Sequence, residues 1–151
     1  MAYQGKFKPK NPTKYLGDSS NIIYRSGWEL KLMSFLDNHP NVLKWGSEEV
    51  IIPYRSPIDG RVHRYFPDFY VEQINTNGIR EKIIIEVKPK HQTLPPQTAN
   101  KLTPKGLISK RYLNEVKTWG VNQAKWKAAK DYCDDKGWRF QIMTEQELGI
   151  K

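Results

Sequence analysis

The sequence has little cysteine and no long apolar run. Cys133 is its single cysteine, which excludes an intramolecular disulfide and argues against a zinc site built from cysteines. No stretch approaches the length of a membrane span, and the N-terminus lacks the apolar core of a signal peptide. The three histidines, His39, His63 and His91, do not have metal-ligand spacing. We therefore expect no membrane association and a reducing, cytosol-like compartment.

The charge of the chain is strongly one-sided. Its 151 residues include 25 Lys and Arg against 16 Asp and Glu, a net charge of +9. This length fits one domain with a hydrophobic core. An excess of positive charge favours a polyanionic partner such as nucleic acid, although a basic protein without such a partner would have the same composition.

Two acidic positions and a lysine lie in segments typical of strands. Asp68 lies within Tyr65–Tyr70, and Glu86 and Lys88 lie at the end of the apolar run that begins at Ile83. Glu86 and Lys88 share one face of that strand because side chains alternate. Charges in a buried strand are costly unless they are paired or bind a metal. Two carboxylates beside an amine suit Mg²⁺ or Mn²⁺ and an activated water, the chemistry of phosphodiester cleavage.

The first half of the chain predicts a helix followed by strands. Ser26 and Glu29 have the spacing of a capping box, and Asn38–Pro40 ends the helix. Turn residues at Ser56–Gly60 predict a hairpin. A second turn at Asn75–Gly78 predicts that the strands carrying the two acidic positions are adjacent and antiparallel.

The second half predicts a loop, a long helix, a strand and a short helix. The helix should begin at Thr103-Pro104, since proline suits the first helical position, and Gly120 could interrupt it before about Asp134. Trp138–Met143 alternates as a strand, and Thr144–Glu147 is a second capping box. The resulting fold class is α/β, with a mixed central β-sheet flanked by helices.

The first 21 residues differ in composition from the rest. Four lysines alternate there with proline and glycine, which disfavour regular structure. We predict a basic N-terminal arm over residues 1–21 and a single domain over 22–151. The arm either lies on nucleic-acid backbone or is a solvated tail.

This order of elements, with Pro67-Asp68 and Glu86-Val87-Lys88 on neighbouring strands, resembles the restriction-endonuclease-like core of the PD-(D/E)XK superfamily. More narrowly, the chain is similar, nearly end to end, to the head-completion family of tailed phages, which are TnsA-like members of that superfamily. The segments that carry this similarity are Met1-Ala2-Tyr3, Tyr24–Glu29, Trp45–Glu48, Ile52–Tyr54, Arg64–Asp68, Ile85–Lys90 and Val121–Lys127.

The resemblance implies roles for the site residues. Asp68, Glu86 and the backbone carbonyl of Val87 would hold Mg²⁺ or Mn²⁺, and Lys88 would orient or deprotonate the attacking water. Glu29 would be a fourth catalytic residue close to the metal, although its position in a capping box gives it a complete structural explanation. The DNA-binding candidates are Arg25, Arg64, Lys90, Lys125 and Lys127 together with the arm lysines Lys6, Lys8, Lys10 and Lys14.

The function implied is a metal-dependent DNA endonuclease that acts in phage head completion before tail attachment. Its expected partners are DNA and portal or head-vertex proteins, and it would act as a monomer or homodimer in the host cytoplasm or on the virion head. Two alternatives remain open: a non-catalytic head-vertex or DNA-binding protein, and a TnsA-like transposon or repair endonuclease. The sequence leaves open the DNA substrate and the number of metal ions.

Overall fold

A four-stranded mixed sheet forms the centre of the fold. The computed structural model describes residues 4–98 and 101–149. Its elements are β1 (Gly5–Phe7), β2 (Ile22–Tyr24), α1 (Gly27–Asn38), β3 (Val42–Ser47), β4 (Ile52–Arg55), β5 (Val62–Tyr65), β6 (Phe69–Ile74), β7 (Arg80–Val87), α2 (Lys110–Lys136), β8 (Arg139–Met143) and α3 (Glu145–Leu148), with 3₁₀ turns at Pro12–Lys14 and Lys90–Thr93. The first three residues of the predicted arm and the last two of the predicted domain lie outside the described residues.

The central sheet has the strand order β3-β6-β7-β8. β3, β6 and β7 are antiparallel neighbours, and β8 pairs with β7 in parallel after the α2 crossover. The apolar run of β7 is buried, as β-branched residues in a central strand should be. The predicted fold class, α/β with a mixed sheet flanked by helices, is confirmed.

Alternate side chains of β7 face different helices. Ile83 and Ile85 pack in the cluster that contains Leu32 of α1. Ile84 packs against Cys133 of α2, which is buried. Because side chains alternate, Glu86 extends from the face of the sheet that α2 covers.

The helix ends follow the capping signals in the sequence. The Ser26 hydroxyl accepts the N–H of Glu29 at 3.1 Å, so α1 begins where predicted. The Thr144 capping box is formed at the start of α3. Gly137 has φ +71° and ends α2, a conformation that glycine adopts without steric cost.

The predicted start of α2 at Thr103-Pro104 is wrong. The Thr103 hydroxyl accepts the N–H of Leu107 at 3.2 Å, and Gly106 has φ +79°. These interactions close a turn that competes with helix formation. The helix begins instead at Lys110, behind Ser109 as N-cap.

The predicted interruption of α2 at Gly120 is also wrong, since the helix is continuous over 27 residues. A Cβ on Gly120 would lie 3.7 Å from Pro57, so the helix passes close to the β4–β5 turn. Glycine costs about 1 kcal/mol within a helix, which packing of this kind can offset. Neither α2 nor any other helix within residues 4–98 and 101–149 has the length and apolar character of a membrane span.

The predicted hairpin is present as β4 and β5, with Ile52 opposite Tyr65. It forms a separate two-stranded sheet rather than an edge of the central sheet. Its buried side chains pack against Trp126 and Ala129 of α2. The hairpin therefore holds Tyr65 beneath the middle of α2.

Part of the predicted arm has regular structure, contrary to the expectation of an irregular segment. β1 pairs with β2, and Phe7 contacts the edge of Trp45 at a ring-centroid distance of 5.7 Å. Tyr15 is buried, and its hydroxyl lies 3.1 Å from the backbone nitrogen of Ser47. The prolines and glycines predict irregular structure, but contacts with residues distant in the sequence stabilise this segment.

Asp37 anchors this N-terminal segment. Its carboxylate is fully buried and accepts the N–H of Lys10 at 2.8 Å, and its carbonyl accepts the Asn11 side-chain amide at 2.8 Å.

We expect Asp37→Ala to lower the free energy of unfolding by about 2–3 kcal/mol, because a buried donor loses its charged acceptor. Asp37→Asn should cost less, since the amide oxygen still accepts. Urea unfolding measures both, with the exposed Asp134→Ala as control. A loss below about 0.5 kcal/mol, the range of surface substitutions, would contradict the anchor role.

Candidate active site

Asp68 and Glu86 lie side by side at one end of the central sheet. Asp68 immediately precedes β6, and Phe69 pairs with Ile85 on β7, so the antiparallel register brings the two acidic residues together. Asp68 Oδ2 accepts the N–H of Val87 at 2.7 Å. Glu86 is buried, and its Oε1 accepts the Tyr65 hydroxyl at 2.7 Å. One oxygen of each carboxylate is thus held by the protein.

Lys88 lies on the same face of the chain as Glu86, as predicted. Its Nζ is 3.8 Å from Glu86 Oε2, beyond hydrogen-bonding distance. The Lys88 side chain is 27% exposed while that of Glu86 is 7% exposed. The ammonium of Lys88 is therefore more exposed than the carboxylate of Glu86, so an incoming anion can contact it.

Ionisation of both Asp68 and Glu86 is unfavourable without a further positive charge beside them. Burial raises the pKa of Asp68 to about 8, and the neighbouring charge of Glu86 acts in the same direction. The Val87 N–H and Lys88 oppose this rise without cancelling it. A cation at the pair would remove the cost of ionising Asp68.

The donor set fits Mg²⁺ better than zinc. Within residues 4–98 and 101–149, no group of three or more His, Cys, Asp or Glu side chains could hold a metal ion. Zinc sites generally need three or four such ligands. Mg²⁺ is commonly bound through one or two carboxylates with water and substrate phosphate. Asp68 Oδ1 and Glu86 Oε2 are the oxygens that could serve, while the Val87 carbonyl and Glu29 stay predictions as ligands.

Glu29 faces the same site from the start of α1. Its carboxylate is 3.4 Å from the Ser26 hydroxyl, and burial, followed by the charge of Glu48, raises its pKa. The charge of Glu29 also contributes to the raised pKa of Asp68. Glu29 is therefore both part of the helix start and electrostatically coupled to the carboxylate pair.

Glu48 is a residue of this site that the sequence did not single out. It has φ +55°, a left-handed conformation that costs about 1–2 kcal/mol outside glycine. Its N–H donates to the Asp68 carbonyl at 3.2 Å, and its carboxylate forms an ion pair with Arg25. The strained turn thus holds Arg25 beside the acidic pair. No sequence signal indicates a positive φ at a glutamate.

Comparison with known proteins identifies the family of the chain. The family model described as "TnsA-like endonuclease N terminal" matches residues 39–145, which include Asp68, Glu86 and Lys88. The chain belongs to the TnsA-like endonuclease family. It is also 43% identical over 148 residues to the head completion nuclease of Enterobacteria phage T4, covering 98% of this chain and 95% of the relative. Glu29 and Arg25 precede the segment matched by the family model but fall within a chain alignment of this length.

In this TnsA-like endonuclease, Tyr65 connects the carboxylates to α2. Its hydroxyl donates to Glu86, and the ammonium of Lys125 lies 5.5 Å from the centre of its ring. Burial and the charge of Glu86 raise the pKa of Tyr65, so the phenol stays protonated and remains a donor. The sequence did not predict this contact because the hairpin and β7 meet only through tertiary packing.

We expect Tyr65→Phe to reduce cleavage by about 10- to 100-fold and to raise the Mg²⁺ concentration needed for half-maximal rate, because Glu86 loses the donor that orients it. Tyr54→Phe is the matched control, since its ring also lies beneath Lys125. Cleavage assays across a Mg²⁺ titration measure the effect. Wild-type metal dependence in Tyr65→Phe would contradict the orienting role.

The DNA-binding candidates of this family member are not all on one surface. Lys125 lies near the carboxylates through Tyr65, whereas Lys127 is two residues along α2 and pairs with Asp131. Residues two apart lie on nearly opposite sides of a helix. Arg64 lies on β5 with its guanidinium 5.9 Å from the centre of the Phe66 ring, and the Lys90 N–H donates to Glu145 at 2.9 Å.

The arm lysines are also divided. Lys6 lies in β1, whereas the backbone of Lys10 is bound to Asp37 near the end of α1. The Lys14 ammonium donates to the carbonyls of Asp37 and His39 at 3.1 and 2.9 Å, so part of its hydrogen-bonding capacity is used within the fold. Lys8 is exposed nearby. All four roles in DNA binding stay predictions.

Proposed function

We propose that this chain is a Mg²⁺-dependent DNA endonuclease that acts in phage head completion. One observation carries the chemistry: the buried carboxylate of Glu86 and the half-buried carboxylate of Asp68 lie beside Lys88 at the end of the central sheet. The matching endonuclease family and the head completion nuclease of phage T4 support the reaction class and its setting.

The mechanism assigns a separate task to each side chain. Asp68 and Glu86 would hold Mg²⁺, which when bound would polarise the scissile phosphate as a Lewis acid. The Val87 N–H and the Tyr65 hydroxyl hold the two carboxylates in place. Lys88 would donate to a phosphate oxygen or to the attacking water from the exposed edge of the pair. In-line attack by that water would leave 5′-phosphate and 3′-hydroxyl ends.

Positive charge would bring DNA to this edge. The net charge of +9 favours association with a polyanion. Arg25, between β2 and α1, and Lys125, on α2, lie near the carboxylates and would contact phosphates on either side of the cut. The proposal includes binding to portal or head-vertex proteins of the phage. The chain would act as a monomer or homodimer, in the host cytoplasm or on the virion head.

The test is cleavage of supercoiled plasmid and of plain and branched oligonucleotide duplexes by the purified chain. We expect cutting with Mg²⁺ or Mn²⁺ and none with EDTA. The ends should accept a ligase without prior phosphorylation, because they carry 5′-phosphate. Metal-independent cutting, or no cutting on any of these substrates by the folded protein, would contradict the proposal.

A further inference from the structure

A cavity lies between the segment that follows β7 and the first half of α2. Its volume is about 690 Å³, within the range of roughly 300–1,000 Å³ typical of ligand pockets. We call it the α2 groove. The residues that define it here are Leu94, Pro95 and Pro96 on one wall and Arg111, Trp119 and Asn122 on the other.

The α2 groove continues from the catalytic elements. His91, which also lines it, follows Lys88 by three residues. Asn122 precedes Lys125 by one helical turn on the same face of α2, and the ammonium of Lys125 lies over the Tyr65 ring. DNA bound at the carboxylates would therefore pass the mouth of the groove.

Asn122 is the buried polar residue among those that line the groove. It is 7% exposed, and its side-chain amide makes no hydrogen bond with any residue of the described ranges. Among the described residues, the fully enclosed side-chain atoms without a partner are Trp45 Nε1 and Trp126 Nε1, so the amide of Asn122 is still reached by solvent and is open to a ligand. A ligand with adjacent donors and acceptors would satisfy it.

We propose that the α2 groove binds an unpaired nucleobase of the DNA strand next to the cut. The edge of a base presents the donor and acceptor that the Asn122 amide lacks. Its flat face can stack on Trp119, with Leu94 and the prolines on the opposite side. Arg111 at the rim donates through Nε to Glu115, which also lines the groove, at 3.0 Å, and the two terminal nitrogens of its guanidinium suit the phosphate that accompanies the base. This inference rests on the proposed function, since it needs DNA at the catalytic site.

The experiment measures binding of fluorescent oligonucleotide duplexes by anisotropy, with Ca²⁺ replacing Mg²⁺ to separate binding from cleavage. One duplex carries a single unpaired adenine, and its partner carries an abasic nucleotide at the same position. We expect the wild type to bind the unpaired adenine on the order of tenfold more tightly, the scale of one base–aromatic stack.

Three variants of the groove and one control variant locate the effect. Trp119→Ala should bind the two duplexes equally, and Trp119→Phe should keep most of the preference because it keeps a stacking surface. Asn122→Ala should weaken discrimination between adenine and other unpaired bases. Leu113→Ala, an exposed apolar truncation on the same helix but outside the groove, should behave as the wild type.

The outcomes separate this inference from the proposed function. Equal binding of both duplexes by the wild type, in a protein that still cleaves with Mg²⁺, would overturn the base-binding groove alone. A preference that survives in Trp119→Ala would overturn its location. Absence of both binding and cleavage would overturn the nuclease together with the groove.

Discussion

Asp68→Asn should reduce DNA cleavage by roughly 10³-fold or more, a loss of about 4 kcal/mol of transition-state stabilisation. The amide can still accept the Val87 N–H, so the backbone at the site should be preserved. It supplies no charge to a cation, however, and the remaining carboxylate of Glu86 would bind Mg²⁺ weakly. Single-turnover cleavage at saturating protein measures the loss. Retained activity within about tenfold would remove Asp68 from the catalytic role.

The same substitution should stabilise the metal-free protein at alkaline pH. Because the pKa of Asp68 is raised to about 8 in the folded protein, its carboxyl binds a proton more tightly there than in the unfolded chain. Stability of the wild type should therefore fall as pH rises from about 4 to about 8, by up to about 1.4 kcal/mol per pH unit. Asp68→Asn should lose this slope.

Thermal unfolding in EDTA across this pH range measures the difference, and the two proteins should converge near pH 4. Addition of Mg²⁺ at pH 8 should raise the melting temperature of the wild type and not that of Asp68→Asn. A pH slope that is equal in the two proteins would mean that another group causes it.

Lys88→Met should reduce cleavage by roughly 10²- to 10⁴-fold while changing DNA affinity only a few-fold, because the lost ammonium acts on the transition state more than on the bound duplex. Lys82→Met is the matched control. Lys82 is on β7, six residues before Lys88 and about 20 Å from it, on the face that Glu86 shares, and its ammonium lies 5.8 Å from the centre of the Trp138 ring.

Cleavage and anisotropy are measured in parallel for the two variants. If Lys82→Met lowers cleavage as much as Lys88→Met, loss of general positive charge would explain the effect. If Lys88→Met loses affinity in proportion to activity, Lys88 binds DNA without acting on the transition state.

The local parts of the site were predictable from the sequence. The turn at Asn75–Gly78 fixes β6 against β7, and the apolar run from Ile83 marks β7 as a buried strand. These two signals suffice to place Asp68 beside Glu86, because antiparallel neighbours joined by a short turn share a register. The capping residues gave the ends of α1 and α3 for the same reason, since they act within one turn.

The surroundings of the site depend on contacts between distant segments. The Tyr65 hydroxyl reaches Glu86 because the β4–β5 hairpin forms a separate sheet and packs beneath α2. Glu48 combines a positive φ with a hydrogen bond to the Asp68 carbonyl, a contact with a distant segment that no residue preference predicts. The late start of α2 reflects a turn around Gly106 whose stability comes from its own hydrogen bonds. The helix and strand propensities of single residues do not include such tertiary contacts and turn hydrogen bonds.

The burial of Cys133 makes its thiol a probe of how often the core opens. Its thiol lies between α2 and β7, and burial raises its pKa to about 11. A thiol reagent can modify it only when the helix separates from the strand that carries Glu86, so the labelling rate reports the frequency of that opening. Since this is the single thiol in the sequence, the rate can be read from intact mass without a mutation, and any ligand that tightens the helix against the strand should slow it.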